Sequence, residues 1–179
     1  MNPQLTAMLI DAAHGCQSAV ELGCMLGEQL AELVPHVPHR LGVEPFSAYV
    51  ELAVDSGAQY EIAMALDWCH KQAPASYDMV MAIDLLEHLE RHDGLLLLAE
   101  MARIAGVVAV VYTPDGYTAQ TAEESCRLIA KNNPALGYQF NALQEHRSGW
   151  TIDDLEWSGY QAKRVEWADP AIQGIMRKR

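Results

Sequence analysis

The sequence predicts an α/β protein with a doubly wound, mostly parallel β-sheet and helices on both faces. Short apolar segments alternate with amphipathic segments along the chain, which is the pattern of successive strands and helices. Residues 107–112, VVAVVY, form a β-branched run without polar interruption, as expected of a central strand buried on both faces. The chain has 179 residues, 50% of them hydrophobic, which suits one domain with one core. We therefore expect a single domain over residues 1–179.

The individual elements follow from the hydrophobic spacing and its breaks. Residues 3–14 have apolar side chains at the 3.6-residue period of a helix, inside an N-terminal segment of residues 1–17. Six strands are predicted, over residues 18–22, 39–44, 60–66, 77–83, 107–112 and 160–167. Further helices are predicted over residues 28–34 and 123–131. Three more are predicted from their capping residues: one begins at Ser47, one runs from Asp93 to Gly106, and one begins at the capping pair of Thr151 and Asp154.

Charge and cysteine content restrict the class of protein. The net charge is −12, and acidic surfaces repel nucleic-acid phosphates and anionic membranes, so we expect neither nucleic acid nor membrane as a partner. The four cysteines form no C-x-x-C pair, which is typical of a reduced intracellular chain. The first fifteen residues are too polar for a signal peptide, and no apolar run reaches the roughly 18 residues of a membrane span. We expect a cytoplasmic protein.

A glycine turn and a later carboxylate indicate a nucleotide-type cofactor. Residues 20–27, VELGCMLG, run from a predicted strand into a turn and then a helix. Gly23 allows the sharp turn, and Gly27 allows close approach of helix and ligand. Glu44 ends the second strand 21 residues after Gly23, the distance at which a carboxylate accepts hydrogen bonds from ribose hydroxyls. Together these features indicate an adenosine-containing cofactor without deciding which one.

An ordered series of motifs gives the cofactor. Residues 76–94, SYDMVMAIDLLEHLERHDG, resemble the fourth-strand region of class I S-adenosylmethionine-dependent methyltransferases, through Asp78, Asp84, Glu87, His88 and Leu89. The first motif of that family resembles VELGCMLG at residues 20–27. Three further segments resemble family motifs in the same order: GVEP at 42–45, LDW at 66–68 and VVYTPDGY at 110–117. The resemblance covers residues 18–117, and residues 146–160 resemble the later part of some small bacterial members.

The resemblance implies S-adenosyl-L-methionine as cofactor and S-adenosyl-L-homocysteine as product. Gly23 and its neighbours would hold the methionine end, Glu44 the ribose, Asp67 and Trp68 the adenine, and Asp84 would lie beside the sulfur. The full set of implied cofactor-binding residues is Glu21, Gly23, Cys24, Met25, Gly27, Glu44, Pro45, Asp67, Trp68 and Asp84.

The chain departs from the family pattern in two ways. Met25 stands where the family usually has a third glycine. A side chain there costs about 1–2 kcal/mol if the backbone needs a positive φ. The family's sheet has seven strands and the sequence shows six, so we expect a short or missing edge strand. A partner chain that completed the sheet would make the protein a homodimer.

Residues 113–150 form a long, irregular connection, which suggests a substrate loop or lid. Its aromatic residues suit a small-molecule acceptor, and Tyr117 and Trp150 are the expected substrate-binding residues. Tyr117 and His146 are expected at the carboxyl ends of the strands, near the methyl position. His88 and His146 are the candidate proton acceptors, although His88 equally suits a backbone contact after the fourth strand. No metal ligands are expected, because His36 and His39 have no supporting cysteines or carboxylates.

Two other functions remain open at this stage. One is a non-catalytic module that binds an S-adenosyl ligand or regulates another protein, which would explain Met25 and the absence of a clear catalytic pair. The other is a nicotinamide-dependent oxidoreductase, because a glycine turn followed by an acidic residue also suits that cofactor. The short chain argues against the oxidoreductase, since it leaves no room for a second mononucleotide-binding half.

Overall fold

The computed structural model describes residues 3–165 and 170–178. Its centre is a seven-stranded sheet with strand order β3-β2-β1-β4-β5-β7-β6. The first five strands along the chain are parallel, and β7 is antiparallel to both of its neighbours, β5 and β6. The strands are β1 Ser18–Leu22, β2 His39–Val43, β3 Gln59–Glu61, β4 Tyr77–Ile83, β5 Ala105–Pro114, β6 Gln161–Val165 and β7 Ala171–Arg177.

The described part of the chain forms seven helices beside the sheet: α1 Pro3–Ala12, α2 Glu28–Glu32, α3 Ser47–Glu51, α4 Ala65–Cys69, α5 Arg91–Ile104, α6 Ala122–Asn132 and α7 Ile152–Trp157. Two short 3₁₀ turns, Leu86–His88 and Ala142–Gln144, lie in the connections that follow β4 and α6. Within the described residues, none of these helices combines the length and the apolar character needed to span a membrane.

Both faces of the sheet are covered, which confirms the predicted fold class. Side chains of β1 alternate between the faces: Val20 and Leu22 belong to the cluster that contains α4, α5 and α7 residues. Ala19 belongs to the opposite cluster, with apolar residues of α1 and α2. β4 alternates in the same way, since Val80 and Met81 lie in different clusters. This two-sided burial explains why the central strands have continuous apolar sequences.

Several element predictions are confirmed and others need correction. The strands at residues 18–22 and 77–83 have the predicted bounds, and Thr151 and Asp154 form the predicted capping box of α7. Ser47 does not cap α3, because Phe46 occupies the cap position without a side-chain bond. The third strand is only Gln59–Glu61, and most of its predicted range belongs to the turn before α4 and to α4 itself. The last predicted strand begins one residue later than expected, and its residues 166 and 167 lie outside the described residues.

The prediction of six strands is wrong, because β7 forms a seventh. Its residues Ala171–Arg177 pair with β5 along its whole length and with β6 over five positions. The strand therefore lies inside the sheet, and the two edges are β3 and β6. β3 is short, with three residues.

Candidate functional site

The carboxyl ends of the parallel strands meet at one edge of the sheet, where two adjoining cavities of about 50 Å³ each lie. This edge contains the point where the strand order reverses, between β1 and β4, which is where ligands bind in open α/β sheets. Both cavities are lined by Gly23, Pro45, Leu85, His88 and Leu143. One cavity adds Met64, Ala65 and Leu89, and the other adds Met25, Glu44, Asp84, Asn141 and Gln144.

The turn after β1 requires glycine at Gly23 and Gly27, because both residues have a φ of 71°. The Gly23 amide donates a hydrogen bond to the Val43 carbonyl at 2.8 Å, which fixes the turn against the end of β2. A Cβ atom at Gly27 would lie 2.2 Å from the Tyr60 hydroxyl, so both conformation and space exclude a side chain there.

Met25 is strained, because it has a φ of 45° without being glycine. The left-handed conformation costs a residue with a side chain about 1–2 kcal/mol. The Met25 amide donates to Glu44 Oε2 at 3.1 Å, and its side chain packs against the small cluster of Leu26, Tyr49 and Leu136. These contacts hold the residue in place despite the unfavourable backbone conformation.

Glu44 ties the glycine turn to the end of β2. Its side chain is buried, and its second oxygen, Oε1, accepts a hydrogen bond from the Phe46 amide at 2.9 Å. Burial raises the pKa of the Glu44 carboxyl group, and the two amide donors partly offset this. A carboxylate has about four acceptor positions, so the two amides leave acceptor capacity for a ligand.

Glu21 is a buried acid in β1, next to the last residue of the strand. Among the described residues, its Oε2 atom has no hydrogen-bond partner. Burial raises the pKa of Glu21 well above the ordinary value, and the negative charges of Glu44, Glu28 and Asp84 raise it further. The neighbouring thiol of Cys24 occupies the space beside Gly42, where a Cβ atom would lie 2.5 Å from Cys24 Sγ. Burial raises the pKa of that thiol as well. The glycine turn is thus surrounded by acidic groups that would favour a cationic ligand.

Asp84 follows β4 and has a φ of 49°, which aspartate tolerates better than most residues. Its amide donates to the Tyr112 carbonyl at 2.8 Å, which holds the position at the end of β5. The residue is exposed and lines one of the two cavities. Enough protein surrounds the carboxyl group that its pKa is raised above the ordinary value.

Three potential ligand residues gather beside the cleft: Glu87, His88 and His146, each with one ligand atom within 4.8 Å of the others. The two imidazole rings meet edge to face at a centroid distance of 4.9 Å. Burial lowers the pKa of His88 to about 4, and the charge of His146 contributes to this. Burial raises the pKa of Glu87, and the charge of Asp84 raises it further. His88 is therefore a neutral imidazole at pH 7.

The last residues of the long connection, 146–150, hold His146 beside His88 and Glu87. The amides of Arg147 and Ser148 donate to the Glu87 carbonyl at 2.7 and 3.2 Å, which docks the connection onto the turn after β4. Tyr117 is 61% exposed, and its hydroxyl donates to the His146 carbonyl at 3.4 Å. Tyr117 and His146 therefore both lie at the carboxyl edge of the parallel strands. Their substrate and proton-transfer roles stay predictions.

No protein-family model and no curated protein matches the sequence. Solved structures match over almost the whole chain. A SAM-dependent methyltransferase from Archaeoglobus fulgidus has 15% identity and a TM-score of 0.68, over 98% of this chain and 93% of that one. The N-methyltransferase NodS from Bradyrhizobium japonicum has 13% identity and a TM-score of 0.64, over 97% and 92%. The complex of DhpI with SAH has 13% identity and a TM-score of 0.67, over 97% and 81%.

The chain has the class I methyltransferase fold. At these identities the likeness establishes the architecture, whereas activity depends on the residues of the site. The sequence resemblance to this fold placed Gly23, Met25, Glu44, Pro45 and Asp84 at the cofactor position, and the structure brings these five residues together around the cavities.

Two tryptophans do not line the cleft of this methyltransferase fold. Trp68 is buried in the core, and its indole N–H donates to Glu61 Oε2 at 2.8 Å. Asp67 is exposed on α4 and lines neither cavity. Trp150 is fully buried, with its indole N–H on the Ser148 hydroxyl at 2.9 Å. The expected adenine role of Trp68 and the expected substrate role of Trp150 are therefore corrected to core packing.

The structure adds cleft residues that the sequence analysis missed. Met64 and Ala65, just before the residues expected at the adenine position, line a cavity instead of Asp67 and Trp68. Leu85 directly follows Asp84, so the motif that indicated Asp84 could also have indicated Leu85 as a cleft residue. Leu143 lies in the 3₁₀ turn of the long connection, where no hydrophobic period signals which side chain turns inward.

Proposed function

We propose that this protein is an S-adenosylmethionine-dependent methyltransferase that acts on a small-molecule acceptor. The observation that carries the proposal is the convergence of Gly23, Glu44 and Asp84 at the strand-order reversal of a class I methyltransferase fold. DhpI, which shares this fold, was solved in complex with SAH, and this supports an S-adenosyl ligand here.

The residues present fit the cofactor. S-adenosylmethionine has cationic ammonium and sulfonium groups, and the unpartnered carboxyl oxygen of Glu21 belongs to an acidic surrounding that would favour such a ligand. Gly23 presents a bare backbone to the cleft, and Glu44 keeps acceptor capacity for ribose hydroxyls. Met64 and Ala65 would provide an apolar surface for the adenine ring.

When bound, S-adenosylmethionine would supply an already activated methyl group, so the protein has mainly to position the acceptor and exclude water. A base with the pKa of His88, about 4, accepts protons poorly at neutral pH. His88 therefore contributes as a neutral hydrogen-bonding group at the wall of the cleft rather than as a strong base.

Cofactor binding also requires a structural change. The two cavities have about 50 Å³ each, whereas pockets for ligands of this size have about 300–1,000 Å³. Leu85 and Leu143 line both cavities, and movement of these two apolar side chains would enlarge them. Leu143 belongs to the long connection, so this connection would act as a lid.

The second candidate function is a non-catalytic module that binds the same ligand. Two observations favour it: the strained Met25 in the glycine turn and the low pKa of His88. Both functions predict binding of S-adenosylhomocysteine, and only the methyltransferase predicts transfer of a labelled methyl group to an acceptor.

Thermal unfolding with added ligand tests the cofactor. S-adenosylhomocysteine should raise the melting temperature, because a ligand that binds only the folded state stabilises it by about 2.7 kcal/mol at 100 times its Kd. NAD at the same concentration should cause no shift. Titration calorimetry with saturable NAD binding and without S-adenosylhomocysteine binding would replace the proposal with the oxidoreductase.

A pair of matched variants localises that binding. Asp84→Asn removes a charge in the cleft while keeping a residue that tolerates a positive φ, and should weaken S-adenosylhomocysteine binding about tenfold. Asp153→Asn removes the same charge from an exposed position on α7 and should leave the Kd unchanged. Equal effects of the two substitutions would show that the ligand binds elsewhere or that only the net charge matters.

A further inference from the structure

We propose that Glu87, His88 and His146, here called the EHH cluster, bind a divalent transition-metal cation at the margin of the cofactor cleft. Glu87 and His88 belong to the 3₁₀ turn that follows β4, and His146 belongs to the last residues of the long connection. One ligand atom of each residue lies within 4.8 Å of the others, although His146 is 58 positions from His88 in the sequence.

The donor set has the chemistry of a metal site. Two imidazoles and one carboxylate are a common ligand set for Zn²⁺ and for other divalent transition metals, with positions left open for an exogenous ligand. At tetrahedral angles, metal–ligand distances of about 2.0–2.2 Å place ligand atoms about 3.3–3.6 Å apart. The EHH cluster therefore has to contract by up to about 1.5 Å on binding, which rotation of its side chains can supply.

The surroundings of the two histidines prepare them for metal binding. Nδ1 of His88 lies 3.3 Å from the Glu145 carbonyl oxygen, and Nδ1 of His146 lies 2.9 Å from the Thr118 carbonyl oxygen. Carbonyl oxygens only accept hydrogen bonds, so each Nδ1 carries the proton and each Nε2 keeps its lone pair. A metal-binding histidine in proteins almost always donates its other ring N–H in this way.

The carboxylate is oriented by a similar contact. The Thr113 hydroxyl, at the end of β5, donates to Glu87 Oε2 at 2.9 Å inside the buried part of the site. Within the described part of the chain, neither Glu87 nor Asp84 forms a salt bridge. The guanidinium of Arg147 is paired instead with the Glu145 carboxylate, at 4.0 Å. A bound cation would therefore act as the counterion of Glu87 and Asp84.

The position of the EHH cluster suggests what the cation does. His88 lines both cavities together with Gly23 and Pro45, so the cation would lie beside the cofactor. A divalent cation binds oxygen ligands and lowers the pKa of a bound hydroxyl group, whose proton can then leave to water. An acceptor with a hydroxyl group suits this arrangement. This assignment of the acceptor rests on the proposed function, whereas cation binding does not.

Titration with Co²⁺ tests the site. Protein treated with EDTA and then dialysed should bind one Co²⁺ ion per chain, with visible absorption bands that report nitrogen and oxygen ligands. Glu87→Gln and His146→Gln should each weaken Co²⁺ binding more than about 100-fold, because loss of a direct ligand exceeds the 10–100-fold effect of an outer contact. His92→Gln, an exposed histidine on α5 outside the EHH cluster, should bind Co²⁺ like the parent.

The outcomes separate this proposal from the proposed function. Absence of saturable Co²⁺ binding, or unchanged affinity in both cluster variants, would overturn the metal site. Circular dichroism and S-adenosylhomocysteine calorimetry on the same variants show whether they remain folded, and Glu87→Gln keeps the oxygen that Thr113 contacts. Co²⁺ binding without S-adenosylhomocysteine binding would keep the metal site and overturn the cofactor. S-adenosylhomocysteine binding without saturable Co²⁺ binding would keep the cofactor and overturn the metal site.

Discussion

Glu21 has a buried carboxyl group, and its Oε2 atom has no hydrogen-bond partner among the described residues. It lies in β1, a strand that is buried on both faces. Its pKa in the folded protein is raised well above the value of an unfolded glutamate, and burial is the main cause. Folding therefore opposes ionisation of this group. The unfolded chain ionises first as the pH rises, so Glu21 lowers the free energy of unfolding above the unfolded pKa and has no such effect below it.

Replacement of Glu21 by glutamine should remove this pH dependence. We expect Glu21→Gln to be more stable than the parent at pH 8 by at least about 1 kcal/mol, with a smaller difference at pH 4.5. Urea unfolding at the two pH values measures this. Glu156→Gln, at an exposed position on α7 away from Glu21, is the control and should follow the parent at both values. Parallel stability curves for Glu21→Gln and the parent would contradict the assigned burial penalty.

At this scale the sequence predicted the residues that are attached to strand ends. Gly23, Glu44 and Asp84 each follow a strand directly, and parallel strands bring their carboxyl ends to one edge. The sequence did not predict that Trp68 and Trp150 are buried in the core, because a motif gives the position of a residue along the chain and not the direction of its side chain. The EHH cluster was missed because His146 reaches it through a connection without periodicity.

At the scale of elements, α5 and the end of the long connection interlock around Trp150. Gly94, in the second turn of α5, is buried against this ring, and a Cβ atom there would lie 2.3 Å from Trp150 Cζ2. The Arg91 guanidinium lies 4.7 Å from the centroid of the same ring and donates to the Gly149 carbonyl at 2.6 Å. Because Glu87 bonds to residues 147 and 148, this packing also supports the candidate site.

The Gly94→Ala substitution should therefore destabilise the protein, although alanine in a helix is ordinarily about 1 kcal/mol better than glycine. We expect a loss of about 1–3 kcal/mol from overpacking against a rigid ring. Denaturant unfolding of Gly94→Ala and of the double variant Gly94→Ala/Trp150→Phe measures it. The double variant should lose less than the sum of its two single variants. Full additivity would show that the ring and the new methyl group do not collide.

The strands also show what sequence patterns can and cannot predict. β1 and β4 have the predicted bounds, since continuous apolar runs between turn residues are unambiguous. β7 was missed because its sequence, AIQGIMR, contains glutamine and glycine, with arginine at its end. Gly174 has a packing reason that the sequence does not reveal: a Cβ atom there would lie 3.1 Å from Leu155 Cδ1 and 3.2 Å from Tyr160 Cβ.

At the scale of the whole molecule, β7 joins the last part of the chain to the sheet. It pairs with β5 at seven positions from Val108 to Pro114 and with β6 at five positions. β6 has no other neighbour in the described sheet, so its attachment depends on β7. The Tyr160 hydroxyl, just before β6, donates to the Leu98 carbonyl at 3.0 Å, so α5 depends on the same region.

Deletion of residues 171–179 should therefore disrupt far more than one strand. It would expose the backbone donors and acceptors of β5, release β6, and remove the buried side chain of Ile172 from the core. We expect a loss of cooperative thermal unfolding and aggregation, measured by calorimetry and light scattering. Deletion of residues 178–179 alone removes the Lys178 amide bond to the Val107 carbonyl and should cost only about 1 kcal/mol. If the longer deletion still unfolded cooperatively and bound S-adenosylhomocysteine, the first five strands would be sufficient as a folding unit. The antiparallel end of the sheet would then be an addition to that unit rather than a part of its core.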